Sequence, residues 1–195
     1  MSATLEIAAA AARLVVEEGL EYASAKQRAA RDLGRHAGRS GEMPPNEMVE
    51  DEVRDYLELF CADTQPVELR ALRELALVWM ERLTEFRPHL GGAVWRGTAT
   101  RLSNILIDLY ADDIKAPEIA FLNRGVDFDS AGGENGRDAP VLSVASRCPE
   151  LGERVTVHFI IHDHDDVRGA LKPDARGRSW RGDAAALRRL LENVT

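Results

Sequence analysis

The chain has little cysteine: Cys61 and Cys148 stand alone in 195 residues. Without a Cys-x-x-C pair, zinc-finger and thioredoxin-like chemistry is excluded. The two thiols fall in different regions and read as buried free side chains rather than as a disulfide. Long hydrophobic runs are missing too. The apolar run from Ile7 to Ala12 ends at Arg13, too short to span a bilayer. Glu6 precedes it and no basic residue does, which is unlike a signal peptide. The expectation is a cytoplasmic protein with no membrane partner. Positive charge is also in deficit, with 25 Lys and Arg against 33 Asp and Glu and a formal net charge of −8. That excludes a surface that grips nucleic acid throughout. Local basic patches remain at Lys26, Arg28, Arg31, Arg35 and Arg39, and at Arg168, Lys172, Arg176, Arg178 and Arg181.

What is present is ordinary for a globular protein: 45% hydrophobic and 30% charged residues. The length suits one large domain or two small ones. The first half has helical periodicity. Leu5, Ala8, Ala12, Val15 and Val16 form one stripe, with Ser2 or Thr4 as its cap and Gly19 as its end. Ser24 is placed to cap a second helix reaching Leu33, before a loop from Arg35 to Pro45. Asn46 is placed to cap a third, on which Val49, Val53, Leu57 and Phe60 recur. A fourth spans about Pro66 to Phe86, with Leu72, Ala76, Trp79 and Leu83 inward.

The period then changes. Ala93 to Arg96, Asn104 to Ala111, Val141 to Arg147 and Arg154 to Ile161 read as strands. Ala116 to Arg124 reads as a helix, 130–138 as a Gly-rich loop, and Asp183 caps a last helix. The fold class expected is α+β: a helical region at 1–88, packed on a small mixed sheet within an α+β region at 89–195.

The segment Gly91 to Asp113 carries the most chemistry. Gly97-Thr98 reads as a tight turn after a strand, where backbone N–H groups can meet a phosphate oxygen. Thr98 and Thr100 add hydroxyls, and Arg96 and Arg101 add cations. On the next strand Asn104, Leu106, Asp108 and Tyr110 share one face, and Ile105, Ile107 and Leu109 the other. Asp112 and Asp113 follow. This pattern resembles the nucleotidyltransferase superfold, whose members place Gly-Ser before a strand bearing Asp-x-Asp, with a third carboxylate on a later strand. The resemblance covers the second half of the chain. It implies a nucleotide ligand, a divalent Mg or Mn cofactor, and, if active, metal-dependent nucleotidyl transfer. It puts Asn104 and Asp108 in the catalytic positions. Arg96, Gly97, Thr98, Arg101, Lys172 and Arg176 would touch phosphate, and Asp108 and Asp112 would hold metal. The pattern is eroded: Asn104 stands where Asp is expected, and Leu106 cannot bind metal. The resemblance therefore implies a degenerate member, which either binds a nucleotide without transferring it or has lost both abilities.

Two other features admit more than one reading. The acidic stretch His162 to Asp166 reads first as a solvated turn, with His158, His162 and His164 as an alternative metal cluster. The basic stretch from Arg168 to Arg178 suits either an anion-closing loop or a plain surface loop, with Trp180 as its anchor to the core. Alternatives to the nucleotide reading are a non-enzymatic regulatory or binding module and a helix-turn-helix DNA-binding regulator. The latter rests on the similarity of Ala11 to Gly19 to the first helix of TetR-type regulators. The acidic third helix, with Glu47, Glu50, Asp51 and Glu52, opposes it, so nucleic acid is not the expected partner.

Overall fold

The computed structural model describes residues 2–34, 43–133 and 138–193. Arg35 and Arg39 of the first basic patch, most of the 35–45 loop and the centre of the 130–138 loop lie outside the described residues. The chain is α+β and divides into two compact units. One comprises 1–67 with 98–102, the other 68–97 with 103–195.

The first unit holds three helices: α1 (Ala3–Glu18), α2 (Tyr22–Asp32) and α3 (Asn46–Phe60). Its core is rich in alanine. Ala8, Ala11, Ala12, Ala25, Ala29 and Ala30 let the helix axes approach, and Ile7, Val49, Val53 and Leu57 fill the remainder. Ser2 Oγ accepts from the Leu5 N–H, and Gly19 ends α1 at φ 70°. Two expected caps differ. α2 starts before Ser24, at Tyr22. Asn46 lies inside α3, and its side-chain oxygen accepts from Lys26 Nζ at 2.9 Å instead of capping.

The second unit takes most of α4 (Gln65–Arg82), then β1 (His89–Gly91), α5 (Gly92–Arg96), β2 (Ile105–Ala111), α6 (Ala116–Asn123), β3 (Asp129–Ala131), β4 (Val141–Cys148), β5 (Glu153–Asp163) and α7 (Ala184–Glu192). The strands form one mixed sheet in the order β1-β2-β5-β4-β3. Among the described residues, β2 and β5 pair parallel and the other neighbours antiparallel. Ile105, Ile107, Leu109, Val157, Phe159 and Ile161 alternate onto a fully buried face. There Trp79 of α4 and Phe121 of α6 meet Phe159 edge-on, at 5.4 and 5.1 Å between ring centres. The opposite face carries the polar side chains.

Ala93 to Arg96 is helical, not the strand its composition suggests. The strand is the preceding His89–Gly91, which pairs antiparallel with β2. Gly92 then turns the chain at φ 63°, where a Cβ would come within 2.9 Å of Leu106. The buried Arg73 of α4 fixes the short helix by donating to the carbonyls of Val94 and Trp95, at 2.9 and 3.0 Å. Gly97, at φ 86°, is consequently the C-terminal cap of a helix and does not join two strands.

Candidate functional site

The polar face is assembled by alternation and register. Side chains two apart on β2 share it, and the parallel pairing sets Leu106 opposite His158, Asp108 opposite Ile160 and Tyr110 opposite His162. At its centre Asp108 is 5% exposed. One carboxylate oxygen accepts from His162 Nε2 at 2.6 Å, and the other accepts from Arg181 Nε. Burial pushes the Asp108 carboxyl upward. The bond from His162 and the charge of Arg181 outweigh it and hold the group below the usual range. His162 stacks on Tyr110 with ring centres 5.3 Å apart, and His89 meets Tyr110 edge-on at 5.5 Å. Burial first, then the Asp108 charge, pushes the Tyr110 phenol up to about 12.

A second cluster lies on the same face. Ser143 Oγ is 2.7 Å from His158 Nδ1, and the Asn104 side-chain amide is 3.3 Å from His158 Nε2.

The third cluster holds the basic loop. Arg96 pairs with Asp174 at 3.0 Å, both side chains at most 5% exposed, and its guanidinium lies 4.1 Å from the centre of the Trp180 ring. Asp174 also accepts from the backbone N–H groups of Arg176 and Arg178, at 2.9 and 2.8 Å. The N–H of Arg178 and the Arg96 guanidinium, against some burial, hold the Asp174 carboxyl down to about 2. The loop is thus pinned from within. Asp174→Ala is expected to open it, and trypsin should then cut after Arg176 and Arg178 about tenfold faster. Unchanged cleavage would show that the loop closes without Asp174.

The expected residues therefore fall into groups. Asn104 joins His158, and Asp108 joins His162. Arg96 is committed to Asp174, to Trp180 and to the Ser179 carbonyl. The Gly97 N–H is bonded to the Ala93 carbonyl at 2.9 Å. Thr98 is buried, and it belongs with Arg101 to the first unit. Lys172 and Arg176 are exposed. Asp112, 91% exposed, lies 4.0 Å from His164. In the His162–Asp166 stretch, His162 and Asp163 end β5, and a short helical turn starts at His164, where Asp163 accepts from the Asp165 N–H at 3.0 Å. The side chains missed from the sequence are Ser143 and the role of Arg181. Parity along β4 and β5 was the available signal for Ser143; none existed for Arg181.

These residues do not fit Mg²⁺ or Mn²⁺. Such hard cations need several free oxygen ligands, but both Asp108 oxygens already accept hydrogen bonds, one from His162 and one from Arg181, and Leu106 offers none. Among the described residues, no three His, Cys, Asp or Glu side chains are grouped to hold an ion. No described helix is long and apolar enough to cross a membrane. A shallow cleft beside α6, lined by Lys115, Glu118, Ser130 and Pro140 among others, shares no residue with the three clusters. No protein-family model matches the chain, and no curated protein or solved structure does either.

Proposed function

We propose that this chain is a nucleotide-binding protein of nucleotidyltransferase-like type that recognises phosphate without a divalent metal. Arg181 carries the reading. Its Nε docks on the buried Asp108, which fixes the guanidinium plane. The side chain is 37% exposed, and a guanidinium held at Nε still has two terminal nitrogens, a fork suited to phosphate oxygens. His162 adds its second ring nitrogen on the same face, and the Asp108 carboxylate at its centre is already bonded to His162 and Arg181. A surface built this way attracts an anion where the superfold's usual carboxylates would attract a cation.

The test is thermal shift and calorimetry with ATP, CTP, GTP and UTP, each with Mg²⁺ and with EDTA. At least one nucleotide is expected to bind, and to bind equally in EDTA. Arg181→Lys keeps a positive charge near Asp108 but loses the fork, and should weaken binding about tenfold. No binding of any of the four, in either condition, would sink the proposal. Binding seen only with Mg²⁺ would return the chain to the metal-dependent class.

A further inference from the structure

Ser143 and His158 form a pair that the nucleotide reading does not use as a unit. We propose that Ser143 is a nucleophile, with His158 as its base, that accepts the acyl group of small apolar carboxylic esters. The register of β4 against β5 sets the two residues directly opposite each other. Their side chains meet at 2.7 Å, Oγ to Nδ1, within reach for proton transfer. The other ring nitrogen lies 3.3 Å from the Asn104 amide nitrogen Nδ2. In that orientation Nε2 accepts, Nδ1 carries the proton, and Ser143 has no base. Turning the amide by 180° brings its oxygen to the ring: Nε2 then carries the proton and donates to that oxygen, and Nδ1 is the acceptor for the Ser143 hydroxyl. The turned amide belongs to the reactive state, so Asn104 is a positioning residue that sets the tautomer.

The surroundings suggest the class of substrate. Val141 and Ala145 flank Ser143 on its own strand, and Leu106 and Ile160 lie on the same face beside His158. All four are apolar and at least partly exposed, so they can cover a short acyl chain. As the Ser143 oxygen bonds to the ester carbonyl carbon, its proton passes to His158 Nδ1. The carbon–alkoxide bond then breaks, and the alkoxide leaves with that proton. Water repeats the sequence on the acyl-serine, which releases the carboxylic acid and restores the hydroxyl.

The experiment uses the full chain and p-nitrophenyl acetate, followed by intact mass and peptide mapping. One acetyl group is expected on Ser143, and none there in Ser143→Ala. His158→Gln should slow acetylation about 100-fold. Asn104→Asp should keep the rate, because a carboxylate orients the same nitrogen, whereas Asn104→Leu should lower it about tenfold with an unchanged melting temperature. Asn104 is exposed, so this pair carries the test even if His158→Gln does not fold. Acetylation only at other residues, or a Ser143 rate indifferent to both His158→Gln and Asn104→Leu, would overturn the proposal. Neither result bears on nucleotide binding through Arg181.

Discussion

Gly182→Ala is expected to destabilise the second unit by about 3 kcal/mol, at the upper end of ordinary overpacking costs. Gly182 sits beside the outer strand β1 and exchanges two backbone hydrogen bonds with Leu90, at 2.8 and 3.0 Å. Those bonds hold its backbone in place. A Cβ built there would lie 2.0, 2.3 and 2.6 Å from three carbons of the Trp95 ring. The ring cannot swing aside freely, because its Nε1 donates to the Ser179 carbonyl at 3.0 Å. Either the Leu90 bridge or the Trp95 bond must give way. Denaturant unfolding checks this through the midpoint at an unchanged slope. A midpoint within error of the wild type would mean that the Trp95 ring is free to move.

The same few residues explain why the stretch 170–183 lies where it does. Gly182 is bridged to β1, Arg181 is fixed on Asp108, Trp180 stacks with Arg96, and Ser179 accepts from Trp95. Four consecutive residues thus each hold a different contact within the second unit. Arg181, 37% exposed, extends from a backbone whose neighbours are anchored on both sides, which is the preorganisation that anion recognition needs.

Much of this was legible in the sequence, and the limits are physical. Alternation along β2 put Asn104, Leu106, Asp108 and Tyr110 on one face, and the structure agrees. The period of two depends on the strand alone, so it could be read locally. The strand assignment for Ala93 to Arg96 failed because four residues are too few to show a period. Val94 and Trp95 have the side chains of a strand, but Gly92 and the distant Arg73 decide their backbone. Partnerships were not legible at all. His162 meets Asp108 across 54 positions, and Arg181 meets it across 73. Ser143 meets His158 only because β4 and β5 pair in one register, and a slip of one residue would turn Ser143 to the opposite face. The nucleotidyltransferase resemblance rested on residue types and spacing. It placed the chemistry on the face of β2 where the polar clusters are found, but could not show that Asp108 was already occupied.

Asp108→Asn should cost about 2–3 kcal/mol, below the full cost of breaking a wholly buried ion pair because His162 and Arg181 keep contact with water. The amide has nearly the same shape but only one acceptor oxygen. Its NH₂ group must therefore face either His162 Nε2 or Arg181 Nε, and one hydrogen bond to the buried carboxylate is lost. The melting temperature is expected to fall by about 5–10 °C at neutral pH. The pH dependence separates this effect from mere loss of packing. The folded carboxyl titrates below its ordinary value, so the unfolded chain binds the proton first as the pH falls. The stabilisation from Asp108 is then complete above about pH 5, declines through the ordinary carboxylate range near 3.9, and is gone once the pH passes below the folded value. The difference in melting temperature between wild type and Asp108→Asn should shrink along the same course, because the variant has no proton to take up. A difference that stayed constant from pH 7 to pH 3 would mean that Asp108 stabilises by shape and not by charge. Arg181 would then lack the fixed carboxylate that orients its guanidinium, and the metal-free phosphate reading would lose its support.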